Sequence, residues 1–154
     1  MCSCNDEGVI LLDDYIVKDT TQYTLEQTEW NLVLFVDAEN NTSREPIKGP
    51  YLLPNSYTLS FHSAIEDPSF FCDTTYFTGM AHINSIEGCY SANNANSTIQ
   101  VTFLWGTAVH PNFENDEANY CYGIHYSTEF EITATQLKLF YNDRKNYLLF
   151  KRVK

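Results

Sequence analysis

Cys121 and His125 stand four residues apart in a stretch that reads as helix, so their side chains share one face. Such a pair is half of a zinc site, and His110 would supply a third ligand. A second closely spaced pair of ligands is missing from the sequence, so we read a buried thiol beside a surface imidazole, with no metal and no cofactor. Cys72 and Cys89 have two readings. They form a disulfide if their strands pair and the chain reaches an oxidising compartment, or they stay reduced in the core, which is the preferred reading. Nucleophilic catalysis needs a Ser or Cys beside a His with an orienting carboxylate. The four histidines (His62, His82, His110, His125) are dispersed, and no Gly-x-Ser-x-Gly elbow occurs. Asp13-Asp14 and the group Glu114, Asp116 and Glu117 supply paired carboxylates of the kind used in acid–base chemistry, but their polar surroundings mark them as solvated charge. Six scattered glycines build no phosphate-binding loop. The expectation is therefore no catalytic site and no enzyme.

The aromatic residues are the more suggestive feature. Phe70, Phe71, Tyr76 and Phe77 gather near an acidic loop, and Tyr120, Tyr122 and Tyr126 gather near the helix. Aromatic-lined clefts bind sugars, peptides or lipids, whereas core packing is the simpler account and the preferred one. With 20 acidic against 9 basic residues, the net charge of −11 excludes nucleic acid as a partner, because a phosphate backbone must be met by Lys and Arg. Aromatics at 15% exclude disorder, and 154 residues suit one domain. Asn40, Asn41 and Asn96 each open an Asn-x-Ser/Thr triplet, which is turn composition in a bacterial chain and a glycan acceptor in a eukaryotic secreted one.

These residues sit on a chain that reads as mainly β. Trp30, Leu32, Leu34 and Val36 share one strand face by alternation, with Val33 and Phe35 on the other. Asp37–Pro50 is rich in turn formers. Tyr57, Leu59 and Phe61 face one way in the next strand, followed by Thr75–Met80 and Ile86–Tyr90. Ile99, Val101, Phe103 and Trp105 face one way after the turn Asn93–Ser97. Asn115–Ile124 is the one helix, with Asn115 as cap and Tyr120 and Ile124 toward the core. Three closing strands carry Phe130 and Ile132, then Leu137 and Leu139, then Tyr147–Lys151. The pattern predicts an antiparallel half-open β-barrel of about eight short strands with one short helix late in the chain. If the barrel is hollow, Trp30, Phe61, Phe103 and Trp105 line a site for a small apolar ligand; if not, they fill it.

The segment Cys4-Asn5-Asp6-Glu7-Gly8 resembles the acylated Cys and acidic export tether of surface lipoproteins of the Bacteroidetes group, with Cys2 as the other candidate for acylation. Further along, Trp30-Asn31-Leu32-Val33, Tyr57-Thr58-Leu59-Ser60-Phe61, Gly79, Asn84, Gly88-Cys89-Tyr90 and Leu137-Lys138-Leu139-Phe140-Tyr141 fall in an order similar to META-type domains. The ending Asn146–Lys151 resembles small lipoproteins with a META-like or lipocalin-like domain. The acidic insertion around Glu66–Asp73 and the extra cysteines depart from that pattern. The resemblance implies residues 1–27 as an N-terminal tether with a first strand and 28–154 as a META-like domain. It implies a monomeric outer-membrane lipoprotein of the cell envelope, held to the membrane by its lipid anchor alone. The partner would be an unidentified protein or, in the alternative, a small apolar ligand carried lipocalin-fashion.

Overall fold

The computed structural model describes residues 22–47, 56–63, 72, 75–110 and 114–153, without the side chain of Phe103. Cys2, Cys4, Asp13, Asp14, Phe70 and Phe71 lie outside the described residues. Nine strands are present among them: β1 (Thr28–Asp37), β2 (Thr42–Arg44), β3 (Tyr57–His62), β4 (Thr75–Ala81), β5 (Asn84–Asn93), β6 (Thr98–Gly106), β7 (Glu129–Ile132), β8 (Gln136–Tyr141) and β9 (Asn146–Arg152). A single helix, α1 (Glu117–His125), lies between β6 and β7 in the chain.

All pairings are antiparallel. They form an eight-stranded barrel in the order β1-β3-β4-β5-β6-β7-β8-β9, with β2 added on β1 beyond the end of β3. The ring closes where β1 meets β9 from Trp30 opposite Arg152 to Asp37 opposite Asn146. Its thin seam is β6–β7, where register pairing is confined to Thr98 opposite Glu129. Beyond that point the strands part, and α1 packs against β6, β8 and β9. The expected mainly-β barrel with a late helix is what the chain forms.

Alternation explains most of the interior. Tyr57, Leu59 and Phe61 of β3 point inward, and Leu148 and Phe150 of β9 do the same. Leu25, Trp30, Phe77, Phe130, Leu137 and Leu139 join them with almost no exposure. Leu25 belongs to this core although it precedes β1, and the described residues 22–27 form no strand. The Trp30 indole N–H donates to Thr28 Oγ1 at 2.7 Å, and the Thr28 hydroxyl in turn donates to the Leu25 carbonyl. A polar atom deep in the core is thereby satisfied. Gly79 of β4 lies so close to β3 that a Cβ there would overlap the Thr58 carbonyl oxygen. Gly123 lets α1 approach β9, since a Cβ would sit 2.9 Å from Leu148 Cδ1.

Two bulges depart from the expected alternation. In β1 the register against β9 skips between Leu32 and Leu34, so Val33 is extra. The inward face then passes from Trp30 and Leu32 to Phe35, which alternation had placed on the opposite face. In β6, Phe103 opposes Cys89 and Val101 opposes Tyr90, leaving Thr102 extra. Ile99 and Val101 face inward before this bulge and Leu104 after it, while Trp105 is turned out and 51% exposed. The expectation that Trp105 shares the interior with Ile99 is corrected on this ground.

Candidate functional site

Of the residues expected to line a ligand site, Trp30 and Phe61 are packed into the barrel core. Phe61 meets Tyr90 edge-on at 5.0 Å and Phe77 at 6.4 Å. Trp105 is on the outer surface, and the side chain of Phe103 is not among those described. The structure does not bring Trp30, Phe61 and Trp105 together around an opening.

The other candidates are dispersed as well. His62 lies on the outer face of the sheet, stacked on Tyr76 at 4.5 Å and 2.9 Å from Thr78 Oγ1. His82 is buried in the β4–β5 turn, stacked on Tyr57 at 6.0 Å. His110 is exposed. Cys121 packs against the core, where burial pushes its thiol up to about 11, and His125 is exposed with its ring edge-on to Tyr126. Among the described residues no three His, Cys, Asp or Glu side chains converge as metal ligands would. Cys72 and Cys89 are joined by a disulfide, which corrects the preferred reading of two reduced thiols. The bridge fastens Cys72 to β5 of the barrel wall.

Asp116 departs from the reading of its cluster as solvated charge, whereas Glu114 is exposed. It is the residue before α1, and its side chain is 1% exposed. Both oxygens face Arg44, which donates from Nη1 and Nη2 at 2.7 Å each. The carboxylate also accepts the Ile47 backbone N–H at 2.6 Å and Asn119 Nδ2 at 3.0 Å. Burial alone would raise its pKa, but the Arg44 and Ile47 hydrogen bonds hold it below the ordinary carboxylate value. The same bonds raise the Arg44 guanidinium above its usual value. Its carbon sits 4.6 Å from the centre of the Phe35 ring. The Asp116 backbone N–H donates to Tyr57 Oη at 2.9 Å, and burial pushes the Tyr57 hydroxyl up to about 12. Asn115, expected as the cap, accepts the Glu117 N–H at 2.8 Å through Oδ1. The helix thus starts one residue later than that reading, and the Asp116 carboxylate joins α1, through Asn119, to Arg44 of β2 and to Ile47 beyond it.

Arg44 of this clamp, together with Asn119, lines a surface groove of about 560 Å³ between the end of the barrel and α1. One wall is the β1–β2 hairpin with Phe35, Asp37 and Arg44; the other is α1 with Asn119 and Tyr122. The β8–β9 turn closes it with Tyr141, Asn142 and Asn146. Sequence reading missed the groove as a unit, because it is built from segments separated by more than a hundred residues, from Phe35 to Asn146. The aromatic gathering at Tyr120, Tyr122 and Tyr126 was its one local signal. Tyr120 turned out to be core, and Tyr122 and Tyr126 are 48% and 53% exposed.

No protein-family model and no curated protein matches the chain. Among solved structures it is similar to a protein from Burkholderia xenovorans determined by NMR, with 21% identity, a TM-score of 0.63 and 84% of each chain covered. It is also similar to a DUF4847 family protein from Bacteroides vulgatus, with 15% identity and a TM-score of 0.55 over 82% of this chain and 93% of that one. At these identities the likeness shows a shared barrel fold and nothing of activity. These likenesses identify neither a META nor a lipocalin family.

Proposed function

We propose that this chain is a non-enzymatic lipoprotein of the cell envelope, anchored through an acyl group on Cys4 or Cys2, whose barrel is a META-like interaction or accessory module. The observation that carries this reading is the Cys72–Cys89 disulfide. Disulfides persist in oxidising compartments such as the periplasm and cell surface and are rare in the cytosol. The segment Cys4-Asn5-Asp6-Glu7-Gly8 supports it independently, as an attachment residue followed by a solvated acidic spacer. A lipid chain followed by that spacer would hold the domain at a membrane while leaving the barrel in water. An interior occupied by Trp30, Phe61, Phe77 and Phe150 favours an interaction module over a carrier of an apolar ligand.

The test is membrane fractionation of cells producing the chain with Cys2→Ala and Cys4→Ala together, beside the unaltered chain. Release of the double variant into the soluble fraction is the expected result. Membrane attachment that persists without both cysteines overturns the reading. Native mass spectrometry of the released protein then separates module from carrier, a bare monomer mass supporting the first and a bound apolar molecule the second.

A further inference from the structure

The groove between the β1–β2 hairpin, α1 and the β8–β9 turn has the composition of a ligand site, and the chemistry of its lining narrows the ligand. Only Asp37 and Arg44 among its lining residues are charged, and both are engaged within the protein. Arg44 is held by Asp116, while Asp37 accepts the Asn40 backbone N–H at 3.0 Å and Asn40 Nδ2 at 2.8 Å. An anionic ligand would meet a neutralised guanidinium on a chain carrying −11 overall. Apart from the aliphatic Val36, the remaining lining is amide, hydroxyl and ring, among them Asn119, Asn142, Asn146, Tyr122 and Tyr141.

The rings are held in place. Tyr122 leans on Tyr126 with centroids 4.5 Å apart and meets Tyr141 edge-on at 6.0 Å, yet it keeps nearly half its surface open to water. An exposed aromatic face fixed beside amides suits a ligand with an apolar C–H face and a polar edge. The amides suit hydroxyl groups, since each carries donors and acceptors and can make about four hydrogen bonds. Asn142 Nδ2 donates to Asn146 Oδ1 at 3.0 Å, and Tyr122 Oη donates to Asn142 Oδ1 at 3.4 Å, so ring and amides already form one surface. Asn142 sits in the β8–β9 turn, where Asn142, Asp143 and Arg144 take φ of 52°, 53° and 63°, the left-handed geometry of a tight hairpin. An extended peptide would need a strand edge along the groove, and β2 offers three residues.

We propose that this groove binds a segment of neutral oligosaccharide, with the Tyr122 ring stacked on a sugar face and Asn119, Asn142 and Asn146 bonding its hydroxyls. The site needs the folded barrel and no anchor, so it stands or falls separately from the lipoprotein reading.

The full-length protein is titrated with maltotetraose, cellotetraose, tetra-N-acetylchitotetraose and sialyllactose, followed by calorimetry and by amide NMR shifts. At least one neutral probe is expected to bind with a dissociation constant below about 1 mM. The shifts are expected to centre on residues 119, 122, 142 and 146. Tyr122→Ala is expected to weaken that binding about tenfold, whereas Tyr122→Phe, which keeps the ring, stays within about twofold. The proposal is overturned by no binding among the neutral probes, by preference for sialyllactose, or by shifts centred elsewhere. The NMR map decides the question even if Tyr122→Ala unfolds.

Discussion

Replacing Asp116 by Ala removes an acceptor that serves three residues, Arg44 and Ile47 in and after β2 and Asn119 in α1, and the loss is calculable. Hydrogen bonds to a charged group contribute about 1.5–3 kcal/mol each, but simple addition over the Arg44, Ile47 and Asn119 bonds overstates the cost. The Arg44 side chain is 48% exposed and returns to water when its partner goes, so its share falls toward that of a surface pair. The Ile47 N–H loses its carboxylate partner, which costs about 1–3 kcal/mol if it stays buried. A net destabilisation of about 3 kcal/mol follows, at the low end of the cost of breaking a buried ion pair. In a domain of this size that lowers Tm by roughly 6–12 °C. The assay is urea and thermal unfolding of parent, Asp116→Ala, Arg44→Ala and the double variant, repeated from neutral to acid pH. The pKa of Asp116 is lowered on folding, so its contribution is complete above the ordinary carboxylate value of 3.8 and is lost as pH falls through the lower folded value. The parent should therefore lose stability on acidification over that window, and Asp116→Ala should lose less. A cost under about 1 kcal/mol, single-variant effects that simply add, or an unchanged acid limb in Asp116→Ala would refute the clamp.

Two further outcomes follow from the core and the bridge. Reducing Cys72–Cys89, or replacing both by Ser, reopens a loop of 17 residues and should cost about 3 kcal/mol in denaturant unfolding; equal midpoints with and without reductant would mean that the bridge constrains nothing. The β6 bulge places Trp105 outside, so Trp105→Ser should change stability by less than about 0.5 kcal/mol, whereas Trp30→Ala should cost about 3–5 kcal/mol. A large loss from Trp105→Ser would restore the unbroken alternation.

Much of the barrel was legible in the residues, because a strand with one face in a core must alternate. The set Tyr57, Leu59 and Phe61 and the pair Leu148 and Phe150 do so without interruption. The helix was legible within a residue, through Asn115 at its start and the i, i+4 pair Tyr120 and Ile124 that the core covers. Bulges left no such mark. Val33 and Thr102 are unremarkable strand formers, and their being extra is set by the partner strands β9 and β5. Each reverses the faces beyond it, which is why Phe35 moved inward and Trp105 outward.

The candidate site divides along the same line. Composition and spacing by themselves determined the acidic charge and the gathering of tyrosines near the helix, since these depend on residue type and short spacing alone. The tertiary structure alone decided that Cys72 meets Cys89, that Arg44 meets Asp116 across 72 residues, and that three hairpin and helix segments enclose one groove. Contacts at such separations depend on how the barrel closes, and closure is a property of all eight strands together.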